Sequence, residues 1–173
     1  MAYKKAVQGR SYPFLYNVTM TVGSRKSFGI SSDDIPVPIY AREKILIRSR
    51  EPNMRDDVTL VQYLLKKNYQ RGQNVSPPFN QANGTANLKI DGLYGPKTQK
   101  AIEQFQLEMR RNGHNIATDG CVESERGDSS TGLTYTISCL NKYFWQLYPN
   151  LAPDILIDPE CPVELKQSLS KVG

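Results

Sequence analysis

The strongest constraint on the fold of this 173-residue chain is a glycine-rich turn that leads directly into a helix. Asp91 can bond backbone N–H groups two residues further on, while Gly92 and Gly95 tolerate positive φ angles that other residues avoid. Pro96 has the fixed φ angle that suits the first turn of a helix, so a helix is predicted from about Pro96 to Arg111. A turn of this kind can bind a ligand as well as stabilise the fold.

This predicted helix is amphipathic and needs a packing partner. Its apolar residues fall at helical spacing: Ala101, Ile102, Phe105 and Met109, with Leu107 beside them. Charged residues occupy its remaining surface: Lys97, Lys100, Glu103, Glu108 and Arg110. We expect the apolar face to pack on a preceding helix from about Asp56 to Tyr69. That helix carries a stripe of its own: Val58, Val61, Leu64 and Leu65.

A third helix is predicted after a second Asp-Gly pair, Asp119-Gly120. The segment from Thr134 to Leu147 has apolar residues at helical intervals: Ile137, Leu140, Phe144 and Leu147. Two amphipathic helices make a poor core, whereas three can bury their apolar faces against one another. The chain thus places an Asp-Gly turn before a helix twice, and no other internal repeat is evident in the sequence.

The order and spacing of these motifs resemble the peptidoglycan-binding domain of the three-helix type. The resemblance rests on three segments: Leu60-x-Gln62-x-Leu64-Leu65, then Asp91-Gly92-Leu93-Tyr94-Gly95-x-x-Thr98-x-x-Ala101-Ile102-x-x-Phe105-Gln106, then Asp119-Gly120-x-Val122. It covers about residues 53–147. It implies a small helical module, without catalytic residues of its own, that holds bacterial cell-wall muropeptide in a shallow groove near the first Asp-Gly turn and the second helix.

The candidate ligand-binding residues lie in the first turn and at the start of its helix: Asp91, Gly92, Tyr94, Gly95, Lys97, Thr98 and Gln99. Backbone N–H groups and a lysine near a helix N-terminus attract the carboxylates of a stem peptide. An aromatic edge, here Tyr94, can pack on a sugar or on stem-peptide methylene groups. The alternative is purely structural: Asp91 and Thr98 cap the turn and the helix, and Tyr94 fills the core.

The fold expected is mainly α: a three-helix, peptidoglycan-binding-like module at 53–147, with an N-terminal β-ribbon extension at 1–52, a tail at 148–173 and long inserted loops. Apolar and polar residues alternate from Tyr16 to Val22, which predicts a strand, and a second strand is expected near Lys44 to Arg48. Such a ribbon either packs on its own module or pairs with another chain. In the tail, a short helix is predicted from Pro162 to Lys171.

Two links are longer than those of the minimal module, namely Gln70 to Leu88 and Glu123 to Gly132. The first is rich in Gln, Asn, Gly and Pro and is predicted to be mobile or a contact surface. Because it ends directly before Asp91, it could also cover the predicted groove.

The residues do not predict an enzyme, a metal site or a cofactor. A single histidine, His114, excludes a His-Glu-x-x-His zinc site, and Cys-x-x-Cys pairs and phosphate-binding glycine loops are absent from the sequence. A nucleophilic Cys121 or Cys139 with His114 as its base is conceivable, but an exposed loop histidine is the ordinary explanation. Carboxylate pairs for glycan cleavage could be drawn from several residues that also suit solvated surfaces: Glu103, Glu108, Asp119, Glu123 and Glu125.

The charge of the chain favours anionic partners without specifying one. The net charge is +5 and the isoelectric point is about 9.1, with Lys and Arg dispersed along the sequence. This favours mild attraction to wall polymers, and the dispersal argues against nucleic acid. The basic start, Met1 to Arg10, is not followed by an apolar stretch, so neither a signal peptide nor a membrane span is predicted. The three cysteines are expected to be reduced thiols.

Two functional hypotheses follow from the sequence. The first is a non-catalytic cell-wall binding protein that recognises peptidoglycan or muropeptide at the first turn. The second is a structural adaptor of a phage tail or of a contractile injection or type VI secretion assembly, which would use the N-terminal strands and the loop at 70–88 for protein contacts. Under both, we expect synthesis in a bacterial cytoplasm, followed by lysis, by incorporation into a virion or by export through a contractile machine.

Overall fold

The computed structural model describes residues 2–23, 53–126 and 132–170, and it is mainly helical. The two strands form one small antiparallel sheet: β1 (Tyr3–Ala6) and β2 (Phe14–Asn17). The helices follow in chain order: α1 (Arg55–Gln70), α2 (Pro96–Arg111), α3 (Thr136–Leu147) and α4 (Val163–Ser170). The coarse prediction of a mainly helical fold with an N-terminal ribbon is therefore confirmed within the described residues.

The helices lie where their apolar periodicity predicted them. The bounds of α2 agree with the prediction, and α4 lies inside the predicted tail helix. α3 begins slightly later than expected because Thr134 is held in a bridge, where its N–H donates to the carbonyl of Asn115 at 2.7 Å. The start signals in the sequence thus placed the helices well, while a long-range backbone contact moved one boundary.

Helix α1 is the centre of the molecule and is buried on more than one side. The predicted stripe is buried, and so are Leu60, Tyr63 and Tyr69 on the remainder of the helix. The reason is that α2, α3 and α4 all pack on α1, so the helix that the sequence marked as amphipathic is surrounded. Its apolar side chains therefore belong to one core that is shared by the whole described chain.

The apolar face of α2 is buried as predicted, with one correction on its polar side. Glu108, expected on the surface, is only 7% exposed. Its carboxylate accepts the N–H of Asn80, at 3.3 and 3.4 Å from the two oxygens, and burial raises its pKa. The segment that covers Glu108 comes from the loop after α1, which the helical pattern of α2 could not reveal.

The strand predicted from Tyr16 to Val22 is wrong beyond Asn17, because a buried carboxylate redirects the chain. Asp57 accepts the N–H groups of Thr19 and Met20 at 3.1 and 2.8 Å. These two N–H groups therefore bond a side-chain carboxylate instead of the carbonyl groups of a neighbouring strand. The chain leaves the sheet at this point, and Val22 forms only an isolated bridge further on.

The partner of β2 is β1, which the sequence did not predict as a strand. The register places Tyr3 opposite Asn17 and Ala6 opposite Phe14. The second strand expected near Lys44 to Arg48 lies outside the described residues. The pairing therefore uses the first residues of the chain, whose lysines gave no alternating pattern.

The ribbon packs on its own chain, which is one of the two alternatives for it. The amide of Asn141 in α3 accepts the N–H of Tyr16 at 2.7 Å and donates to its carbonyl at 2.8 Å. The hydroxyl of Tyr16 donates to the carbonyl of Ala152 in the tail at 2.7 Å. Buried hydrogen bonds thus join the ribbon to α3 and to the tail.

A buried ion pair fastens the tail to α1. The ammonium of Lys67 lies 2.9 Å from Asp158 and 2.8 Å from Glu160, and Tyr63 donates to Asp158 at 2.6 Å. Lys67 is 6% exposed, so these carboxylates compensate a cation that is largely removed from water. The tail is therefore part of the packed structure at this point.

The link from Gln70 to Leu88 contributes apolar side chains to the core, while most of its polar residues are exposed. Phe79 lies against three aromatic rings, with centroids 5.1 Å from Tyr69, 6.0 Å from Phe105 and 5.1 Å from Tyr143. Gly72 makes this possible, since a Cβ there would lie 2.7 Å from the Cβ of Phe79. Three apolar residues of the link are buried, and its polar composition concealed them: Val75, Phe79 and Leu88.

Candidate functional site

The first Asp-Gly turn is held by a single buried glutamine of α1. The Gln62 carbonyl oxygen accepts the N–H groups of Asp91 at 3.0 Å and Gly92 at 2.9 Å. Its amide nitrogen lies within hydrogen-bond distance of the Asp91 carboxylate (3.1 Å), the Leu93 carbonyl (3.1 Å) and the Thr98 hydroxyl (3.0 Å). Gln62 is 1% exposed. We call this arrangement the first clasp, and it joins α1, the turn and the start of α2.

Within the first clasp, Asp91 and Gly92 have structural roles. The Asp91 carboxylate accepts the N–H of Leu93 at 3.0 Å, and this bond, together with the Gln62 amide and nearby Lys89, lowers the pKa of Asp91. Gly92 has a φ of +68°, and a Cβ there would lie 2.6 Å from both the Arg55 Cγ and the Thr59 hydroxyl. The turn therefore requires glycine for its backbone angle and for its close approach to α1.

The other candidate residues divide into buried and accessible ones. Thr98 is 2% exposed and does not cap α2, since the helix begins after Gly95 without a side-chain cap. Tyr94 is half-buried and packs against the core, while the Gln99 amide donates to Glu103 at 2.7 Å. Lys97 is exposed. The turn thus brings the predicted residues together, but three of them stabilise the turn itself: Asp91, Gly92 and Thr98.

Leu93 is the accessible residue that the sequence reasoning left out of the site. Its side chain is 64% exposed at the tip of the turn. A large apolar residue between a turn glycine and a tyrosine was the available signal. We call Leu93, Tyr94 and Lys97 the first-turn surface. It combines an exposed aliphatic group, an aromatic ring and a cation beside a helix N-terminus that no side chain caps.

A second clasp repeats this arrangement around Gln106 of α2. The Gln106 carbonyl oxygen accepts the N–H of Gly120 at 2.8 Å. Its amide nitrogen lies 2.8 Å from the Cys121 carbonyl, 3.0 Å from the Thr136 hydroxyl and 3.3 Å from the Asp119 carboxylate. As in the first clasp, a buried glutamine joins its own helix to an Asp-Gly turn and to a threonine at the start of the next helix.

The repeat extends into the helices, beyond what the sequence reasoning detected. Arg55 and Thr59 face Gly92 in the first clasp, and Gln99 and Glu103 occupy the same spacing from Gln106 and face Gly120. These corresponding pairs differ in residue type, so the shared residues are the Asp-Gly pairs, the two glutamines and the threonines Thr98 and Thr136. The repeat is therefore recognisable by geometry more readily than by identity.

The second turn is covered by the N-terminal segment. Val22 and Val122 exchange backbone hydrogen bonds at 2.9 and 2.7 Å. Gly23 lies so close that a Cβ there would meet the Gly120 carbonyl and would lie 2.9 Å from the Cys121 Cα. Cys121, the counterpart of Leu93, is 2% exposed. Of the two turns, only the first therefore presents an apolar side chain to solvent.

The residues considered for catalysis are engaged in the fold. Burial raises the pKa of Cys139 to about 11, so its thiol is protonated at neutral pH. A ring nitrogen of His114, Nε2, lies 3.1 Å from the hydroxyl of Tyr143. Cys121, Cys139 and Cys161 are all buried and form no disulfide. Among residues 2–23, 53–126 and 132–170, no three His, Cys, Asp or Glu side chains gather as metal ligands.

Comparison of the chain with protein-family models, with curated proteins and with solved structures found no match. The resemblance to peptidoglycan-binding domains therefore depends on the motif residues themselves and stays a prediction. Within the part of the chain that the structure describes, the helices are too short or too polar to cross a bilayer.

Proposed function

We propose that this chain is a non-catalytic peptidoglycan-binding protein that contacts muropeptide through the first-turn surface. One observation carries the proposal. Two turns are built on equivalent glutamine clasps, and the first leaves Leu93 64% exposed beside Lys97, whereas the N-terminal segment covers the second. A single exposed leucine needs no functional explanation, so the proposal depends on its combination with the half-buried Tyr94, the exposed Lys97 and the uncapped start of α2.

The chemistry of the first-turn surface suits a muropeptide. Lys97 and the backbone N–H groups at the start of α2 attract a stem-peptide carboxylate, because the helix dipole and the uncapped donors favour negative charge there. Leu93 and the edge of Tyr94 offer apolar contact to sugar carbons or to methylene groups. In this proposal the other candidate residues build the turn and the start of α2 and do not contact the ligand. They are Asp91, Gly92, Gly95, Thr98 and Gln99.

The adaptor hypothesis is the second candidate, and the packing of the chain weighs against its two proposed contact segments. The ribbon is bonded to Asn141 and Ala152, and the link at 70–88 buries Phe79 among three rings. A segment that orders only with a partner would not be expected to make such contacts within its own chain. Wall recognition is therefore the better supported of the two.

Retention on purified sacculi tests the wall-binding proposal. We expect Leu93→Ala and Lys97→Ala each to reduce the bound fraction of the full chain several-fold. Leu107→Ala is a matched control, because Leu107 is 43% exposed on α2 outside the turn, and its retention should equal that of the wild type. All four proteins should melt at similar temperatures. Absence of wild-type retention, or equal retention of every variant, would contradict the proposal.

Hydrogen exchange on the free chain separates the two hypotheses. The N–H of Tyr16 is bonded to the buried amide of Asn141, so slow exchange is expected without any partner. Fast exchange at Tyr16 and at Phe79, becoming slow only in the presence of an assembly protein, would favour the adaptor hypothesis. Monomeric behaviour in size-exclusion chromatography should accompany the protected state.

A further inference from the structure

A groove between the N-terminal ribbon and α3 forms a second candidate site, which the first-turn surface does not line. Its volume is about 410 Å³, within the usual range for small-molecule sites of roughly 300 to 1,000 Å³. The turn before β2, the connection from α2 to α3 and the first half of α3 form its walls. The polar groups that matter here are Arg10, Ser11, Tyr12, His114, Ser138 and Lys142.

The lining of this groove is cationic and rich in hydroxyl groups. Arg10 and Lys142 are its charged residues, and among the described residues that line it none is acidic and none is aliphatic. Two acidic residues, Asp119 and Glu123, line instead a separate cavity of about 60 Å³ on the other side of Thr134. A polar site with this lining favours an anionic group near its two cations, Arg10 and Lys142.

A buried carboxylate holds Arg10 at the groove. Glu125, 4% exposed, accepts a hydrogen bond from the Arg10 guanidinium at 2.9 Å and another from the Ser138 hydroxyl. Lys5 also lies 3.7 Å from this carboxylate. Glu125 thus orients Arg10 and offsets part of its charge, while Lys142 is the second cation of the lining. The guanidinium is already ordered, which lowers the entropy lost on binding an anion.

The aromatic wall of the groove is fixed in the same way. The Tyr12 ring stacks on Trp145, with centroids 6.1 Å apart and planes inclined by 11°, and its hydroxyl accepts a hydrogen bond from Arg10 at 3.0 Å. Burial, together with the charge of Lys142, lowers the pKa of His114, so its imidazole is neutral at neutral pH. The groove therefore offers a fixed guanidinium, the exposed ammonium of Lys142 and neutral polar groups.

We propose that this groove binds a small carboxylate-bearing molecule with a hydroxyl- or amide-rich body. Arg10 and Lys142 hold the carboxylate, because a planar guanidinium and an ammonium are the donors that match it. The body of the molecule extends toward His114 and Thr134 in the remainder of the groove, because the hydroxyl groups of Tyr12 and Ser138 are already bonded to Arg10 and Glu125. This site is independent of what the first-turn surface binds, so failure of wall binding would leave it unaffected.

Titrations of the isotope-labelled full chain, followed by NMR, test the proposal with three probes. N-acetylmuramic acid represents a wall-derived carboxylate, citrate a metabolic one, and inorganic phosphate a small anion without an organic body. We expect at least one organic carboxylate to produce saturable shifts confined to Arg10–Tyr12 and Ser138–Lys142, at lower concentration than phosphate. No saturable shift, or a response to phosphate that equals or exceeds that to both carboxylates, would overturn the proposed ligand class.

Charge variants on exposed positions then locate the site. Lys142→Ala should weaken binding about tenfold, the factor expected for one lost charge-assisted contact. Ser11→Glu should abolish binding by adding a negative charge to the groove, while the isosteric Ser11→Gln should retain it. Lys100→Ala removes an exposed lysine of α2 and should have no effect. Equal weakening by Lys100→Ala, or full binding by Ser11→Glu, would show general charge attraction and overturn the site.

Discussion

The two Asp-Gly turns of this molecule are built alike and exposed differently. Gln62 and Gln106 each bond the turn glycine, the turn aspartate and a threonine of the next helix. Yet the residue after the glycine is 64% exposed in the first turn, as Leu93, and 2% exposed in the second, as Cys121. Local residues therefore fix the shape of each turn, while a remote segment that includes Gly23 decides which turn can meet a ligand.

This difference limits what the motif can say about function. An Asp-Gly pair with its glutamine and threonine specifies a clasp that joins consecutive helices, and the second turn has that role under the cover of Val22. Ligand binding requires accessible groups at the turn that the clasp itself does not use. In the first turn these additions are the exposed Leu93, the cation of Lys97 and an uncapped helix start.

The largest effect is expected from removing either glutamine. Gln62→Ala and Gln106→Ala each leave buried N–H and hydroxyl groups without their partner, which should lower the free energy of unfolding by about 3 kcal/mol. Urea denaturation followed by circular dichroism would measure it. Gln104→Ala, half-buried on α2, is the control and should cost well under 1 kcal/mol by order of magnitude. A small effect at one glutamine alone would show that the clasps are not equivalent.

The next effect tests the cover of the second turn. A Cβ at Gly23 would meet backbone atoms of Gly120 and Cys121, and its φ is +127°, so Gly23→Ala should cost about 2 kcal/mol and displace the segment. Cys121 should then react with a thiol reagent faster than in the wild type, since its burial depends on that cover. Unchanged thiol reactivity with unchanged stability would contradict the role of Gly23.

Most of the helical fold could be predicted because it follows local periodicity. The spacing of Ile102, Phe105 and Met109 defined the face of α2, and Pro96 marked its start. The turn conformation followed in the same way from Gly92, whose φ is positive, whereas Gly95, expected to share this role, has an extended φ of −152°. In each case the information lies within a few residues of the element that it describes.

What could not be predicted depends on partners that are distant in sequence. The carboxylate of Asp57 holds the amides of Thr19 and Met20 and ends a strand, and the residues around Asp57 do not indicate these partners. Phe79 stood alone in a polar link, and only the assembled core shows the three rings around it. The exposure of the first turn likewise depends on a segment that is distant in sequence. The residues near Leu93 do not indicate that the N-terminal segment covers only the second turn.

Alanine at the two turn glycines should separate steric crowding from backbone strain. Gly92→Ala places a Cβ against Arg55 and Thr59, including the Arg55 carbonyl at 3.1 Å, and should cost about 2 kcal/mol. Gly120→Ala meets mainly the end of the Gln99 side chain, which can rotate away, so about 1 kcal/mol is expected. Gly113→Ala, with φ +85° and an open surrounding, isolates the backbone cost. Thermal unfolding should rank Gly92→Ala as the most destabilised.

The smallest effect concerns acid and the first turn. The N–H of Leu93, the Gln62 amide and Lys89 lower the pKa of Asp91 below its ordinary value of 3.8. The stabilisation is therefore complete above that value and is lost as the pH falls through the lower, folded pKa. The Leu93 amide shift should titrate with a midpoint below 3.8, while in Asp91→Asn, which keeps the acceptor oxygen, this titration should vanish. A midpoint at or above 3.8 would mean that the first turn does not stabilise the charged carboxylate of Asp91 in solution. The first turn would then be less firmly ordered than the covered second turn.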